Sequence, residues 1–211
     1  MGGLVEQNIT TSIQALVSGR ADDMSGMKAE DRKVNLLEVF IDESVTQIIA
    51  RRQPTASDLR VVLAVSRTIV DLERIGDEAK KVYKMATKLA DEHEQFRALA
   101  EAENLGNHVK SMLHDALDAF ARLDAKAALE VAREDRKVDQ EHEEIMRLNM
   151  TYMLEDARNI RRAVNLMWAA RALERIGDHA RNIAEHTIYM ITGKDIRYQK
   201  LDHAEQVIAE D

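Results

Sequence analysis

An all-α fold, built as two tandem antiparallel three-helix bundles with six long helices, follows from three features of this 211-residue sequence. The first is composition: one proline and eight glycines leave few places for turns, while Ala, Glu, Leu, Lys, Arg and Met, the strong helix formers, dominate. The second is periodicity, since apolar residues recur at spacings of three and four and no alternating strand pattern competes with them. The third is an internal repeat. Glu30-Asp31-Arg32-Lys33-Val34-Asn35 returns as Glu134-Asp135-Arg136-Lys137-Val138-Asp139, and Leu72-Glu73-Arg74-Ile75-Gly76-Asp77 returns unchanged as Leu173-Glu174-Arg175-Ile176-Gly177-Asp178. The echoes are offset by 104 and 101 residues, so the chain reads as a duplicated unit whose second copy is three residues shorter between its second and third helices.

Taken in order, the first helix carries Val5, Ile9, Ile13 and Leu16 on one face and stops at the segment 19–26, which opens and closes on glycine. The second runs through Val34, Leu37, Ile41, Val45 and Ile48 to Gln53-Pro54-Thr55-Ala56-Ser57. There Thr55 with Asp58 predicts a capped N-terminus with an acidic first turn. The third helix carries Leu59, Val62, Leu63, Ser66 and Val70 and ends in the polar stretch Asp91-Glu92-His93. The fourth begins near Phe96, buries Val109, Met112, Leu113, Ala116, Leu117 and Phe120, and stops at Arg122-Leu123-Asp124. The fifth reaches Glu155-Asp156, and the sixth runs through Ile160, Ala163, Val164 and Met167 to Gly193. Helices near 30 residues are rods of roughly 45 Å. The division is therefore 1–92 for the first repeat, 93–193 for the second and 194–211 for a polar tail. Aligning the repeats leaves the first helix some turns shorter than the fourth, which predicts exposed apolar side chains beside it and self-association or marginal stability.

Acidic residues outnumber basic ones by 38 to 30, a formal charge of −8, which argues against nucleic acid as a partner. There is no cysteine, so disulfides, thiolate chemistry and Cys-ligated metals are excluded. The longest aliphatic run, Val61 to Val65, is far short of the roughly 20 residues that span a bilayer. A cytoplasmic protein is expected, with peripheral membrane association as an option.

The unusual feature is where the carboxylates fall. On the third helix the apolar stripe continues into Glu73 and Asp77, and on the sixth into Glu174 and Asp178. Spacing of four places each pair side by side, where like charges repel. A neighbouring arginine, a shared proton or a bound cation would offset that repulsion. The second helix adds Asp31, Asn35, Glu38 and Asp42 on one face, and the fifth adds Asp135 and Asp139, with His142 one turn on. Facing acidic rows could offer four or more oxygens to a hard cation such as magnesium, manganese, calcium or iron. The plainer reading is a solvated face with Arg74 or Arg175 as the ion-pair partner. Gly76 and Gly177, inside helices where glycine costs about 0.8–1 kcal/mol, suggest close backbone approach or room for a ligand.

The repeated Leu-Glu-Arg-Ile-Gly-Asp, the acidic rows and Arg51-Arg52-Gln53-Pro54-Thr55-Ala56-Ser57-Asp58-Leu59-Arg60 resemble the PhoU family of bacterial phosphate-signalling regulators. Leu117 to Arg122 and Thr151 to Asp156 extend the resemblance over nearly the whole chain. It implies a non-enzymatic negative regulator of the phosphate regulon and of phosphate uptake. Its partners would be the sensor histidine kinase of the regulon and the ATPase subunit of the phosphate ABC transporter, with a homodimer or higher oligomer expected. It also implies metal ions, iron, zinc, manganese or magnesium, on Glu/Asp-x-x-x-Asp motifs. The matching residues are Glu73 with Asp77, Glu174 with Asp178, and Asp135 with Asp139. The fourth motif departs from the pattern, reading Asp31-x-x-x-Asn35, so Glu38 and Asp42 would have to complete that cluster. Two alternatives remain: a metal-free helical adaptor whose acids pair with arginines, and a di-iron carboxylate enzyme. The latter needs Glu-x-x-His pairs, of which the chain has none.

Overall fold

The computed structural model describes residues 1–21, 23–90, 97–197, 205 and 208, and they form the six expected helices. These are α1 (Gly2–Ser18), α2 (Ser25–Arg52), α3 (Ala56–Leu89), α4 (Arg97–Arg122), α5 (Ala125–Glu155) and α6 (Ile160–Thr192), with a short 3-10 turn at Ala157–Asn159. The break expected at Asp91-Glu92-His93 and the start near Phe96 lie outside the described residues.

The ends follow from local chemistry. Gly19 closes α1 and Gly193 closes α6 at φ 61° and 73°, left-handed values that a Cβ disfavours. Gln53 closes α2 in the same region, and its N–H donates to the Ile49 carbonyl. Asp124 caps α5 through its carboxylate, which accepts from the Lys126 and Ala127 amides at 3.1 and 3.0 Å. Thr55 sits at the N-cap of α3, but its side chain makes no capping bond there.

Four helices form the centre. α3 packs on α6 and α1 on α4, joining the halves, while α2 lies outside on α3 and α5 lies outside on α4 and α6. The apolar stripes read from the sequence meet in one continuous core. Ile9, Leu16 and Ile75 of the first half share it with Leu113, Leu173 and Ile183 of the second, all essentially solvent-free. Burying each such side chain contributes about 1.5–3 kcal/mol, so the seam between the repeats is as apolar as either bundle.

The halves are not equivalent. α1 has 17 residues against 26 in α4, and α2 rests on α1 much less than α5 rests on α4. Ile48 and Ile49 are exposed where their counterparts Tyr152 and Met153 are half-buried, as a short first helix predicts. Leu36, Val39 and Phe40 are exposed too, but for another reason. Their counterparts Gln140, Glu143 and Glu144 are equally exposed beside the longer α4, so this apolar face points outward and no extension of α1 accounts for it.

The repeated glycines also differ. A Cβ on Gly177 would stand 3.0 Å from Val138 Cγ1 and 3.4 Å from Val109 Cγ1, so α6 needs glycine there to approach α5 and α4. On Gly76 the nearest atom would be Val34 Cγ1 at 3.7 Å, an ordinary contact.

Candidate functional site

The acidic rows do face each other across α2–α3 and α5–α6. In the first repeat, the Lys80 ammonium donates to Asp31 Oδ2 at 2.7 Å and to Asp77 Oδ1 at 2.6 Å, joining the two helices. Asp31 is buried, Asp77, Glu38 and Glu73 are half-buried, and Asp42 is exposed. Burial, then repulsion from Asp77, Glu38 and Asp31, pushes the Glu73 carboxyl above its ordinary range against the pull of Lys80. Burial and Asp42 push Glu38 the same way, opposed by Arg74.

The second repeat uses the equivalent position. Arg181, which is Lys80 displaced by the offset of the Leu-Glu-Arg-Ile-Gly-Asp block, donates to Asp135 Oδ2 at 2.8 Å and to Glu185 Oε1 at 3.0 Å. About three turns earlier on α6, Arg171 donates to Glu174 Oε1 at 2.5 Å, while Glu174 Oε2 is buried without a hydrogen-bond partner. Burial and the neighbouring Asp178 push the Glu174 carboxyl up to about 7. Asp178 is also raised, by burial and then by Asp135 and Asp139. His142 is half-buried, its Nε2 has no partner, and burial followed by Arg171 holds it below its ordinary value. Asp139 is exposed.

This geometry corrects the expectation of iron, zinc, manganese or magnesium on the acidic motifs. Among the described residues no group of three or more His, Asp or Glu side chains is arranged to hold a metal ion. The reason is visible in the ion pairs. Lys80 stands between Asp31 and Asp77, and Arg181 between Asp135 and Glu185, where a cation would have to sit. Of the three ways to relieve like-charge repulsion, the chain uses basic side chains and raised acid pKa values. A negative regulator working through metal on Glu73, Asp77, Glu174, Asp178, Asp135, Asp139, Asp31, Glu38 and Asp42 therefore gives way to the metal-free adaptor, and a di-iron centre goes with it.

A buried polar cluster joins the two repeats, and the sequence reading, which weighs His179 and His186 only as single weak candidates, does not assemble it. Asp71 on α3 is buried; it takes His179 Nδ1 at 2.8 Å and His186 Nε2 at 3.0 Å, and accepts from Asn182 Nδ2 at 3.1 Å, all on α6. Burial alone would raise the Asp71 carboxyl, but these hydrogen bonds hold it well below the usual carboxylate range. Two turns along α3, Glu78 is buried and pairs with Arg175 of α6 at 2.9 Å and Lys81 at 2.8 Å. No motif could have announced Asp71, because its counterpart in the second repeat is Ala172. Lys80 and Arg181 were readable, three residues after each repeated Asp.

A cavity of about 410 Å³ opens beside this joint, lined by Arg175, Asp178, His179, Arg181, Asn182, Glu185 and Arg197. Its three guanidinium groups are each paired with a carboxylate: Glu78, then Asp135 with Glu185, then Asp195. The cavity is thus walled by a closed set of ion pairs. Such a set fixes helices in register rather than offering open charges to a substrate.

Comparison with known proteins agrees with this architecture. A family model described as the PhoU domain matches twice, over residues 1–86 and 102–187, one match per repeat. The phosphate-specific transport system accessory protein PhoU homolog of Pseudomonas aeruginosa is 48% identical over 198 residues, covering 94% of this chain and 82% of that protein. The Escherichia coli K12 accessory protein PhoU is 46% identical over 99% of this chain and 86% of its own. The crystal structure of PhoU from Pseudomonas aeruginosa superposes with a TM-score of 0.88 at 47% identity, covering 92% and 93% of the two chains. That of the phosphate transport system regulatory protein PhoU from Streptococcus pneumoniae gives 0.84 at 26% identity over 92% and 91%. With the repeat, the six helices and both halves of the family pattern in agreement, the chain belongs to the PhoU family.

Proposed function

We propose that the chain is a metal-free helical adaptor with a PhoU-type regulatory role in phosphate homeostasis. It acts by docking and performs no chemistry of its own. The observation that carries this reading is the pairing of the buried acids of the two rows, Asp31, Asp135 and Glu174, with Lys80, Arg181 and Arg171, which puts basic side chains where a metal ion would sit. The names of its relatives place them as accessory proteins of phosphate-specific transport. On that basis the partners are the ATPase subunit of the phosphate ABC transporter and the sensor histidine kinase of the phosphate regulon, met at the cytoplasmic side of the membrane. Among the described residues no helix is long and apolar enough to cross a membrane.

A docking protein needs exposed anchors, and aromatic and arginine residues are the usual ones. The second repeat offers Trp168, 63% exposed, with Ile160 and Val164 on the same stripe of α6 and Leu154 at the end of α5. The test is binding of purified chain to the transporter ATPase and to the kinase's cytoplasmic part, before and after exhaustive chelation. Affinity that survives chelation and falls for Trp168→Ala supports the adaptor. Affinity that vanishes with chelator and returns with a divalent ion would refute it.

A further inference from the structure

α3 and α6 run antiparallel where the repeats join, since Arg67, Asp71 and Glu78 in order along α3 meet Tyr189, then His186 and His179, then Arg175 on α6. Duplication makes the two halves of this seam equivalent, yet only one is closed by the chain itself. In the closed half the Arg67 guanidinium lies over the Tyr189 ring at 5.2 Å from its centre, and Glu185 is buried against Arg181. In the other half Trp168 stands at the place of Arg67 and Lys88 at the place of Tyr189, and among the described residues no cation–ring contact joins them. Lys84 stands there at the place of Glu185.

The open half has a basic edge and an apolar edge. On α3, Lys81, Lys84 and Lys88 follow at spacings of three and four, one helix face, and all are exposed. On α6, Ile160, Val164 and Trp168 follow at spacings of four and are exposed, with exposed Arg171 and Arg175 continuing the line. Both edges belong to one side of the molecule, because buried Glu78 between them holds Lys81 at 2.8 Å and Arg175 at 2.9 Å. One carboxylate between two bases leaves positive charge in excess, and among the described residues Lys84 and Lys88 form no ion pair. This basic strip lies on a chain of net charge −8. We propose that the open half-seam docks an acidic amphipathic helix of a partner protein, its carboxylates toward Lys81, Lys84 and Lys88 and its apolar flank toward Ile160, Val164 and Trp168. The two edges lie side by side, each at helical period, and a helix with adjacent acidic and apolar flanks matches both at once. From Ile160 to Arg175 the strip is about 22 Å long, or four helical turns. The docking role of Trp168 is taken from the preceding reading; the chemistry of the segment it meets is what is added.

Trp168 is the chain's one tryptophan, so its emission reads this seam directly. The probe is a Trp-free, alanine-rich peptide of about four turns, with leucines on one flank and glutamates on the next, titrated into the full chain at low salt. A saturable blue shift is expected, with affinity reduced at least about ten-fold by Lys84→Glu combined with Lys88→Glu and reduced again by added salt. A peptide carrying lysines in place of the glutamates should instead prefer the charge-reversed chain, and a scrambled peptide of the same composition should bind at least about ten-fold more weakly than the parent peptide. Both lysines are exposed, so helicity and melting temperature report an intact fold alongside. No blue shift up to millimolar peptide overturns the proposal, as does equal binding by the scrambled peptide or indifference to the charge reversal. A shift produced by phosphatidylglycerol vesicles and not by the peptide overturns it in favour of a lipid surface. The docking role fails separately: if the transporter ATPase and the kinase bind Trp168→Ala as they bind the parent, that role falls whatever the peptide does. If they lose affinity while the peptide leaves the emission unmoved, the role stands and the acidic helix falls.

Discussion

The two repeats hold the same acidic row in two ways. In the first, a single ammonium bridges Asp31 and Asp77, whose side chains are 10% and 42% exposed. In the second, a guanidinium at the equivalent position bridges Asp135 and Glu185, whose side chains are only 7% and 6% exposed. An ammonium is a compact point charge on a flexible stem; a guanidinium presents a rigid fork of donors that can serve two buried carboxylates at once. Duplication has kept the place of the cation and changed its identity with the depth of its partners. The second repeat is accordingly the more tightly built, with a longer first helix and a glycine packed against valines.

That comparison breaks first at the cations. Arg181→Met strands two buried carboxylates and should cost about 3–4 kcal/mol in chemical unfolding, the penalty for removing one partner of a buried pair. Lys80→Met leaves Asp77 with water in reach and should cost about 1–2 kcal/mol. Equal losses would show that depth does not distinguish the repeats. Loss of stability in neither would remove the ion pairs as the explanation for the acidic rows.

The joint between the repeats comes next. Asp71 has an alanine, Ala172, as its counterpart, so only one repeat contributes this clamp. Asp71→Ala should destabilise by about 2–3 kcal/mol at neutral pH, since it leaves His179, His186 and Asn182 without their acceptor. A carboxyl held below its ordinary 3.8 in the folded state contributes its full stability above that value and loses it as pH falls from there through the lowered folded value. The gap in unfolding free energy between parent and variant should therefore narrow on acidification. A gap that widens would contradict the clamp.

Much of this architecture was legible in the chain, and the limits of that legibility are physical. Helix ends at Gly19 and Gly193 were readable because glycine tolerates left-handed backbone, the end at Gln53 because Pro54 follows it, and the stripes of α1 and α4 because burial imposes their period. The acidic rows were readable as a feature and misread as ligands. Position on a helix face says that Glu73 and Asp77 are neighbours, but not that Lys80 reaches across from Asp77 to Asp31. Asp71 was invisible, since its partners lie more than a hundred residues away on α6 and neither repetition nor periodicity links them. A short α1 predicts exposed apolar side chains without naming them, and comparison with Gln140, Glu143 and Glu144 separates Leu36, Val39 and Phe40 from that expectation.

The glycines sharpen the comparison at a smaller scale. Gly177→Ala must push Val138 aside and should destabilise by about 1–2 kcal/mol. Gly76→Ala has ordinary contact space and gains helix propensity, so it should stabilise by about 0.5–1 kcal/mol. Opposite signs from one substitution at repeated positions would show that the motif is kept for packing in one copy only. Destabilisation by both would mean that the first repeat also needs the close approach.

The finest difference is one of protonation. Glu174 is raised from 4.5 to about 7 by burial and by Asp178, whereas burial and its own neighbours raise its counterpart Glu73 less far. A carboxyl that prefers its proton in the folded state favours folding below its unfolded pKa, and that contribution is lost as pH rises through about 7. A rise of this size, with the pull of Arg171 already in it, corresponds to at most about 3 kcal/mol, of which relaxation and water access around the charged form leave roughly 1 kcal/mol. Glu174→Gln carries a permanently neutral group of the same shape. Its stability should match the parent near pH 5 and exceed it by about 1 kcal/mol near pH 8, while Glu73→Gln gains less across the same range. Should Glu174→Gln instead lose stability at pH 8, the Arg171 pair outweighs the cost of burying the charge. The second repeat would then hold Glu174 as an ion pair, in the manner of Lys80 in the first, and the two rows would differ in depth alone.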